Sequence, residues 1–234
     1  MNVIQTLRTA GYDFIDSPLR SHQPLQLWLK KNDSIVEFYS NDFRNQLISS
    51  KPLTKVELPM LTIDFASSID FKFNLGLSFL AKLLDKLGLE NLGIDFVIEG
   101  GREIKISYKD PVCYGYELDE LQEYLSNSDV KPNSNKLFID NLNNNDILII
   151  GAVLFAKNIK IEITTSTNFS LETKAKLSDK LDSSFVVEYK NEQKLTLSSK
   201  NDLLLPIAVK AYRLDFDHSV FSNMRLITDH RRFF

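Results

Sequence analysis

Residues 159–199 have the sequence IKIEITTSTNFSLETKAKLSDKLDSSFVVEYKNEQKLTLSS, in which apolar and polar side chains alternate over most of the length. As far as Leu177 the odd positions hold apolar residues or threonine, and every charge lies on an even position. After a polar break at 179–184, Phe185, Val187, Leu195 and Leu197 resume the odd apolar face. A period of two predicts two β-strands, 159–177 and 185–197, each with one apolar and one polar face.

The predicted strands are unusually long. Strands of globular proteins run to about 5 or 6 residues, whereas a strand that crosses a membrane needs about 9 to 11 alternating residues. Two interpretations follow. The pair is either a long twisted hairpin that buries one face on a soluble core, or a hairpin that later refolds or lengthens to cross a membrane.

A second pair of long alternating segments occupies residues 61–75 and 94–108. Between them the period changes to about 3.6, because Leu77, Leu80, Leu84 and Leu87 form the apolar stripe of a helix. Burial on a core accounts easily for one overlong hairpin, but less easily for two in one chain. The repetition therefore favours the membrane interpretation.

The rest of the chain predicts an α+β fold. Residues 147–156 are nearly all apolar, which indicates a strand buried on both faces at the centre of a sheet. Other expected elements are a hairpin from 25–31 and 34–39, short helices over 3–10, 41–50 and 116–125, and strands at 137–139 and 203–214. We expect a central, twisted and mostly antiparallel sheet with long amphipathic strand ribbons and flanking helices.

Composition and motifs exclude several classes of function. The net charge of −3 provides no basic field for nucleic acid. His22, His218 and His230 lack metal-ligand spacing to each other or to Cys113, and no phosphate-binding glycine loop or nucleophile elbow is present. We expect neither an enzyme nor a cofactor, and we expect Cys113 to be a small buried apolar residue.

The sequence has no helical membrane anchor that we can recognise. No apolar run approaches the ~18 residues of a membrane-spanning helix, and the first eleven residues lack the basic and apolar regions of a signal peptide. If the protein meets a membrane, we expect it to do so from the cytoplasm.

Three stretches resemble gasdermins, in particular the short bacterial form. They are KLFIDNL (136–142) with ILIIGAVLFAKNIKIEI (147–163), the charged return 185–198, and LLLPIAVKAYRL (203–214). The opening, LRTAGYD (7–13) before PLQLWLK (24–30), fits the same pattern. The resemblance covers nearly the whole chain, but it lies in segment order and pattern rather than in a catalytic signature.

The resemblance implies a pore-forming domain over residues 1–214 and a short inhibitory C-terminal tail over 215–234. In such proteins proteolysis releases the domain, which oligomerises on lipid and inserts two β-hairpins per subunit. The released protein moves from the cytoplasm to the inner membrane, which it permeabilises, causing cell death of the anti-phage kind. The predicted lipid-facing residues here are Ile63, Phe65, Ile69, Phe71, Phe73, Phe96, Ile98, Ile104, Ile106, Ile161, Ile163, Phe169, Leu171, Phe185, Val187, Leu195 and Leu197.

Inhibition is expected to reside in apolar residues of the tail, namely Phe216, Phe221, Leu226, Phe233 and Phe234. They either lie in a groove of the sheet or belong to a disordered terminus. Arg225, Asp229 and Arg231 are candidate cleavage positions for an activating protease. Bacterial members often carry a lipid-modified cysteine near the N-terminus, but Asn2, Val3 and Ile4 stand there in this chain, so we expect no lipidation at that end. The alternative function is a non-lytic soluble module that binds lipid or protein.

Overall fold

The computed structural model describes residues 7–15, 22–30, 36–59, 101–166, 168–171, 174–175, 185–200 and 204–227, with 101–110 described by their backbone. The strands of this part are β1 (Asp13–Phe14), β2 (Leu27–Lys30), β3 (Val36–Ser40), β4 (Leu47–Ser49), β5 (Val56–Leu58), β6 (Gly101–Gly115), β7 (Ser128–Val130), β8 (Ile147–Thr165), β9 (Phe185–Asn191), β10 (Lys194–Ser199), β11 (Leu205–Asp217) and β12 (Val220–Ile227). The helices whose full extent is described are a 3₁₀ turn (Phe43–Asn45), α1 (Leu118–Ser126) and α2 (Lys136–Asn143), and residues 7–9 are also helical.

Strand β8 is the axis of the sheet, and each of its edges carries two strands end to end. Along one edge, β11 pairs with residues 148–156 and β10 with 160–164. Along the other edge, β2 pairs with residues 147–149 and β6 with 152–165. All of these pairings are antiparallel, which confirms the expected mostly antiparallel sheet.

The two halves of β8 differ in burial, and Asn158 lies between them. Residues 147–154 are buried without interruption, as the apolar run predicts, whereas from Ile159 onward the odd residues are buried and the even ones are partly exposed. Asn158 has a φ of 49°, and two residues of β8 stand opposite one residue of β6 at this point. This is a β-bulge, and asparagine tolerates the left-handed conformation better than most residues.

Helices α1 and α2 cover one face of the first half of β8. Leu121 and Leu125 of α1 and Phe138 and Leu142 of α2 belong to one buried cluster with Ile147 and Ile149. On the opposite face, Trp28, Leu148, Ile150 and Val209 form a second cluster. The centre of the sheet is therefore buried on both faces, which is the environment that an unbroken apolar strand requires.

Several predicted elements are confirmed. The first hairpin is β2 paired with β3, the helix at 116–125 is α1, and the strand at 203–214 is β11. Two predictions were wrong. Residues 41–50 form a single 3₁₀ turn followed by β4 rather than one helix, and residues 137–139 lie in α2 rather than in a strand. Asn135 caps α2 by accepting a hydrogen bond from the Leu137 amide at 2.8 Å. Phe138 and Leu142, four residues apart, share the buried face of the helix. The strand prediction considered only the three apolar residues 137–139, which are too few to show this helical spacing.

Candidate membrane-insertion region

The second half of β8, together with β9 and β10, forms an amphipathic region that we call the ribbon. Six of its odd-numbered residues are buried on one face: Ile159, Ile161, Ile163, Phe185, Leu195 and Leu197. Directly opposite residues of an antiparallel pair share a face, and Ile161 stands opposite Leu197 and Ile163 opposite Leu195. The buried face therefore extends without a break from β8 to β10.

The other predicted lipid-facing residues are distributed unevenly. Phe169 is buried, Val187 is half-buried, and Leu171 is 84% exposed. Ile104 and Ile106 occupy register positions on β6 opposite Ile163 and Ile161. The remaining residues lie outside the described part of the chain: Ile63, Phe65, Ile69, Phe71, Phe73, Phe96 and Ile98.

The polar face of the ribbon carries a cluster of lysines around Glu162. Its carboxylate lies 2.7 Å from the Lys160 ammonium, 3.7 Å from that of Lys194 and 3.9 Å from that of Lys190. The hydrogen bond from Lys160, reinforced by the positive charges of all three lysines, holds the pKa of Glu162 below its ordinary value although partial burial opposes this. The cluster links β8, β9 and β10 on the side away from the buried face.

The predicted strand bounds of the ribbon were wrong in two places. Strand β8 ends at Thr165 rather than at 177, and the arm 185–197 is not one strand but the hairpin β9–β10, which turns at Glu192 and Gln193. A two-residue turn alone would place odd residues opposite even ones. The bulge between Lys194 and Leu195 restores odd opposite odd, so Tyr189 faces Leu195 and Val187 faces Leu197. The alternation of apolar and polar residues therefore continues through the turn, and for this reason the sequence pattern did not reveal the turn.

The residues that follow β8 pack back on the β9–β10 turn. The Phe169 amide donates to the Glu192 carbonyl at 2.7 Å, next to the bond that Thr165, the last residue of β8, donates from its amide to the Gln193 carbonyl at 2.9 Å. The Phe169 ring meets the Tyr189 ring edge-on at 5.9 Å, and the Tyr189 hydroxyl donates to the Lys174 carbonyl at 3.2 Å. Sequence periodicity did not predict these contacts, because it shows which face of a strand a residue lies on and not which residues it contacts.

The tail begins as a strand of the sheet. β11 runs to Asp217 and β12 returns along its edge, so the predicted boundary after Leu214 falls inside β11. Phe221 is buried in the cluster formed by α1 and α2, and Phe216 packs against that cluster. Leu226 is 47% exposed, and Phe233 and Phe234 lie outside the described residues.

Candidate cleavage position Arg225 lies within β12, opposite Arg213. Its Nε is 2.7 Å from Oδ2 of Asp215 and its Nη2 is 2.8 Å from Oδ1 of the same carboxylate. Nε of Arg213 is also 3.5 Å from Asp215, so one carboxylate lies between two guanidinium groups. The other two candidates, Asp229 and Arg231, lie outside the described residues.

β12 also touches the beginning of the described chain. A Cβ on Gly11 would lie 3.0 Å from Leu226, and the φ of 82° at Gly11 is one that glycine adopts without strain. The next residue, Tyr12, shares a buried 3.2 Å hydrogen bond with Cys113 of β6. Burial raises the pKa values of both groups, so that the Cys113 thiol stays protonated as a core residue, as expected.

No helix among the described residues combines the length and apolar character that crossing a membrane requires. The model of the Bacterial Gasdermin Family matches residues 15–222 of the chain. Gasdermin bGSDM of Gillisia limnaea is 22% identical over 211 residues, covering 89% of this chain and 79% of the relative. Gasdermin bGSDM of Lysobacter enzymogenes is 21% identical over 234 residues, covering 96% and 84%.

The fold is similar to that of a solved bacterial gasdermin from Bradyrhizobium tropiciagri, with a TM-score of 0.60 at 11% identity, covering 95% of this chain and 90% of that one. The sheet and its ribbon thus define a gasdermin-like fold. Since the family model spans most of its length, the chain belongs to the bacterial gasdermin family. Pore formation is the general activity that membership gives it.

Proposed function

We propose that this gasdermin rests as an inactive subunit and that proteolysis in its C-terminal tail releases it to assemble on the inner membrane. The released subunits insert β-hairpins, permeabilise the membrane and kill the cell, as in a defence against phage. The ribbon is the observation that carries this proposal. It joins a buried apolar face to a charged face on the same strands, which is the pattern that a strand between lipid and water requires.

The magnitudes are compatible with refolding. Each large apolar side chain that moves into hydrocarbon contributes about 1.5 to 3 kcal/mol. The buried residues of the ribbon would move from one apolar environment, the protein core, to another, the lipid. The free energy of burying them is therefore largely kept when Ile161, Ile163, Leu195 and Leu197 change environment. On the other face, Lys160, Glu162 and Lys194 stay in contact with water.

The tail contacts support a role for β12 in holding the resting state. Arg225 is an unfavourable first cleavage position in that state, since its backbone is paired in β12 and its side chain is bound to Asp215. The turn at His218 and Ser219 is exposed, and proteases cut exposed loop tips most readily. Cleavage at Arg225, Asp229 or Arg231 therefore requires β12 to open or leaves most of it attached.

Dye release from liposomes tests the proposal. A site for a specific protease replaces the His218–Ser219 turn, and release is measured before and after cleavage on vesicles of phosphatidylethanolamine and phosphatidylglycerol. We expect release only after cleavage and dissociation of β12. The matched control carries the same site in the exposed loop at Lys131–Asn135, between β7 and α2, where cutting leaves the tail covalently attached.

Absence of release from this variant, and from truncations ending anywhere from Asp215 to Phe233, would overturn the pore proposal and favour a non-lytic binding module. Release before cleavage would overturn the inhibitory role of the tail while leaving pore formation intact. Expression of the truncated chain in bacteria, followed by a membrane-potential dye with and without phage infection, tests the cellular role. A truncated chain that leaves the inner membrane polarised would contradict it.

A further inference from the structure

The β11–β12 hairpin extends past the end of the strand on which it rests. β11 pairs with β8 as far as Arg213 opposite Leu148, but β11 itself continues to Asp217. The pairing of β11 with β12 is irregular in this overhang, because the register shifts between Asp215 and Phe216. Phe216 therefore lies beyond the ladder to β8 and beside a break in the ladder to β12.

Asn145, in the turn between α2 and β8, provides the partner that the Phe216 backbone lacks there. Continuing the β8–β11 register by three residues from Leu148 and Arg213 places Asn145 opposite Phe216. The Oδ1 atom of Asn145 accepts a hydrogen bond from the Phe216 amide at 2.7 Å. A side-chain oxygen thus takes the place that a backbone carbonyl has in a β-ladder.

The end of α2 sets the conformation of Asn145. Its φ of 55° is left-handed, a form that asparagine tolerates. The Asn145 amide donates to the Leu142 carbonyl at 3.0 Å. The Asp146 amide donates to the Asn141 carbonyl at 2.9 Å. These two bonds are those of a Schellman motif, so the helix holds Asn145 in place and Asn145 holds Phe216.

Phe216 in turn contacts the residue that anchors β12. Phe216 and Phe221 stand directly opposite each other in the hairpin, and their ring centroids are 5.0 Å apart. Phe221 is buried in the cluster formed by α1 and α2, and Phe216 packs against the same cluster. Loss of the bond to Asn145 would free the β11 backbone at Phe216, and the ring beside Phe221 would move with it. The anchor of β12 is thus supported by a residue of the turn between α2 and β8.

We propose that Asn145 is a positioning residue of the resting state and that it controls how readily β12 leaves. It fastens the overhang of β11 to the end of α2, and dissociation of β12 is slow while the Asn145–Phe216 bond is in place. Both residues lie before the His218–Ser219 turn, so the bond persists when that turn is cut. This inference rests on the proposed function, in which the tail holds the chain inactive.

Two substitutions at position 145 separate the hydrogen bond from the helix ending. Asn145→Gly keeps the left-handed conformation, which glycine adopts without strain, and removes the acceptor. Asn145→Asp keeps an acceptor, and a carboxylate accepts strongly from a backbone amide. Asn135→Ala is the matched control, because it removes a bond of similar length, 2.8 Å to the Leu137 amide, that caps the other end of α2.

Each variant is the full chain with the cleavable site at the His218–Ser219 turn. The fraction of β12 still bound is measured by size-exclusion chromatography and mass spectrometry at intervals after cleavage. We expect Asn145→Gly to lose β12 about fivefold faster than the native chain, the effect of one lost hydrogen bond. Asn145→Asp should lose β12 at the native rate. Asn135→Ala should lower the thermal stability without changing this rate.

Hydrogen exchange on the native chain tests the same bond without a substitution. We expect the Phe216 amide proton to be protected to within about tenfold of the amide protons of β12, because opening of one accompanies opening of the other. A Phe216 amide that exchanges more than about a hundredfold faster than β12 would overturn the inference.

Equal rates of β12 loss from Asn145→Gly and the native chain would also overturn it, as would equal acceleration by Asn145→Asp or Asn135→Ala. Liposome leakage distinguishes this failure from that of the proposed function. Dye release from the cleaved native chain leaves the pore function standing whatever the Asn145 variants do. Loss of β12 without dye release from any variant would overturn the pore function, and the inference with it.

Discussion

The last two hairpins of the described residues, β9–β10 and β11–β12, differ in how their turns are formed. The β11–β12 turn has His218 and Ser219 at φ values of 49° and 67°, the backbone form that matches the twist of paired strands, and Phe221 anchors it in the core. The β9–β10 turn lacks that form. Its Gln193 amide donates to the Asn191 side chain at 2.9 Å, and its Glu192 carbonyl accepts from the Phe169 amide in the segment after β8. One hairpin has the favoured turn geometry and a buried aromatic anchor, whereas the turn of the other is bound in addition by a neighbouring segment.

The difference indicates where this fold can change. A hairpin with a well-formed turn and a buried aromatic anchor opens as a unit, or not at all. A hairpin whose turn carbonyls bind another segment opens when that segment leaves. We therefore expect perturbations of the tail to act on release of inhibition, and perturbations of the ribbon to act on insertion itself.

The largest expected effect is on the anchor of the tail. Phe221→Ala should lower the free energy of unfolding by about 3 to 4 kcal/mol, because it leaves a cavity in the α1–α2 cluster. We expect dye release without cleavage, and denaturant unfolding together with liposome leakage checks both results. Val220→Ala, at an exposed neighbour, is the control. If the Phe221→Ala chain is destabilised but releases no dye without cleavage, β12 does not restrain the ribbon.

The next effect separates the segment after β8 from the tail hairpin by its relation to lipid. Leu171→Lys alters a residue that is 84% exposed, so thermal unfolding should hardly change. A lysine on the lipid face costs about 2 to 4 kcal/mol at the membrane midplane, so release after cleavage should be lost. Leu226→Lys makes the same change at a 47% exposed position of the tail and should release dye normally. Equal behaviour of the two variants would remove Leu171 from the lipid face.

A smaller effect concerns the carboxylate between the arginines of the tail hairpin. Asp215→Asn leaves Arg213 and Arg225 opposite each other without a counter-charge. The loss of charged hydrogen bonds should cost about 1.5 to 2 kcal/mol and raise leakage of the uncleaved chain. Asp217→Asn, which removes only an exposed contact to His218, is the control. Identical leakage from both variants would argue against this role of Asp215.

Replacing the Glu192–Gln193 turn should make the β9–β10 hairpin more stable, with a turn of the same kind as that of the β11–β12 hairpin. Glu192→Asn with Gln193→Gly supplies the residues that a two-residue turn favours and should stabilise β9–β10 by about 1 kcal/mol. Release after cleavage should then slow about fivefold, since 1 kcal/mol corresponds to roughly that factor. His218→Asn with Ser219→Gly makes the same change in the tail and should leave the release rate after cleavage unaltered. Faster release from the ribbon variant would contradict the expectation that β9–β10 opens before insertion.

The smallest effect is one of pH. The lysines hold the pKa of Glu162 below its ordinary value in the folded chain, so its contribution to stability is full above the unfolded pKa. The contribution is lost as the pH falls through the lowered pKa of the folded chain, and we expect a loss of about 0.5 to 1 kcal/mol. Thermal unfolding of the native chain and Glu162→Gln should converge at acid pH. A constant difference between them across this range would show that the carboxylate charge is not involved.

The sequence predicted the features that follow from the periodicity of apolar residues, and it missed those that depend on which strands and side chains contact each other. The apolar run at 147–156 and the alternating faces from Ile159 onward gave the axis of the sheet and its amphipathic end. The Glu192–Gln193 turn was missed because a bulge keeps the parity of the faces, and β12 was missed because its apolar residues follow no strict alternation. The bond between Tyr12 and Cys113 joins residues 101 positions apart, and no local pattern reports such a contact.

The bulge at Asn158 also affects how the two halves of β8 open. The bulge interrupts the pairing of β8 with β6, so we expect the half paired with β2 and β11 to open at a different free energy from the half paired with β10. Amide protons at 147–156 then report global unfolding, whereas those at 159–165 report local opening at a lower free energy. One continuous strand would then belong to two foldons, and its outer half would open while the core of the sheet stays folded.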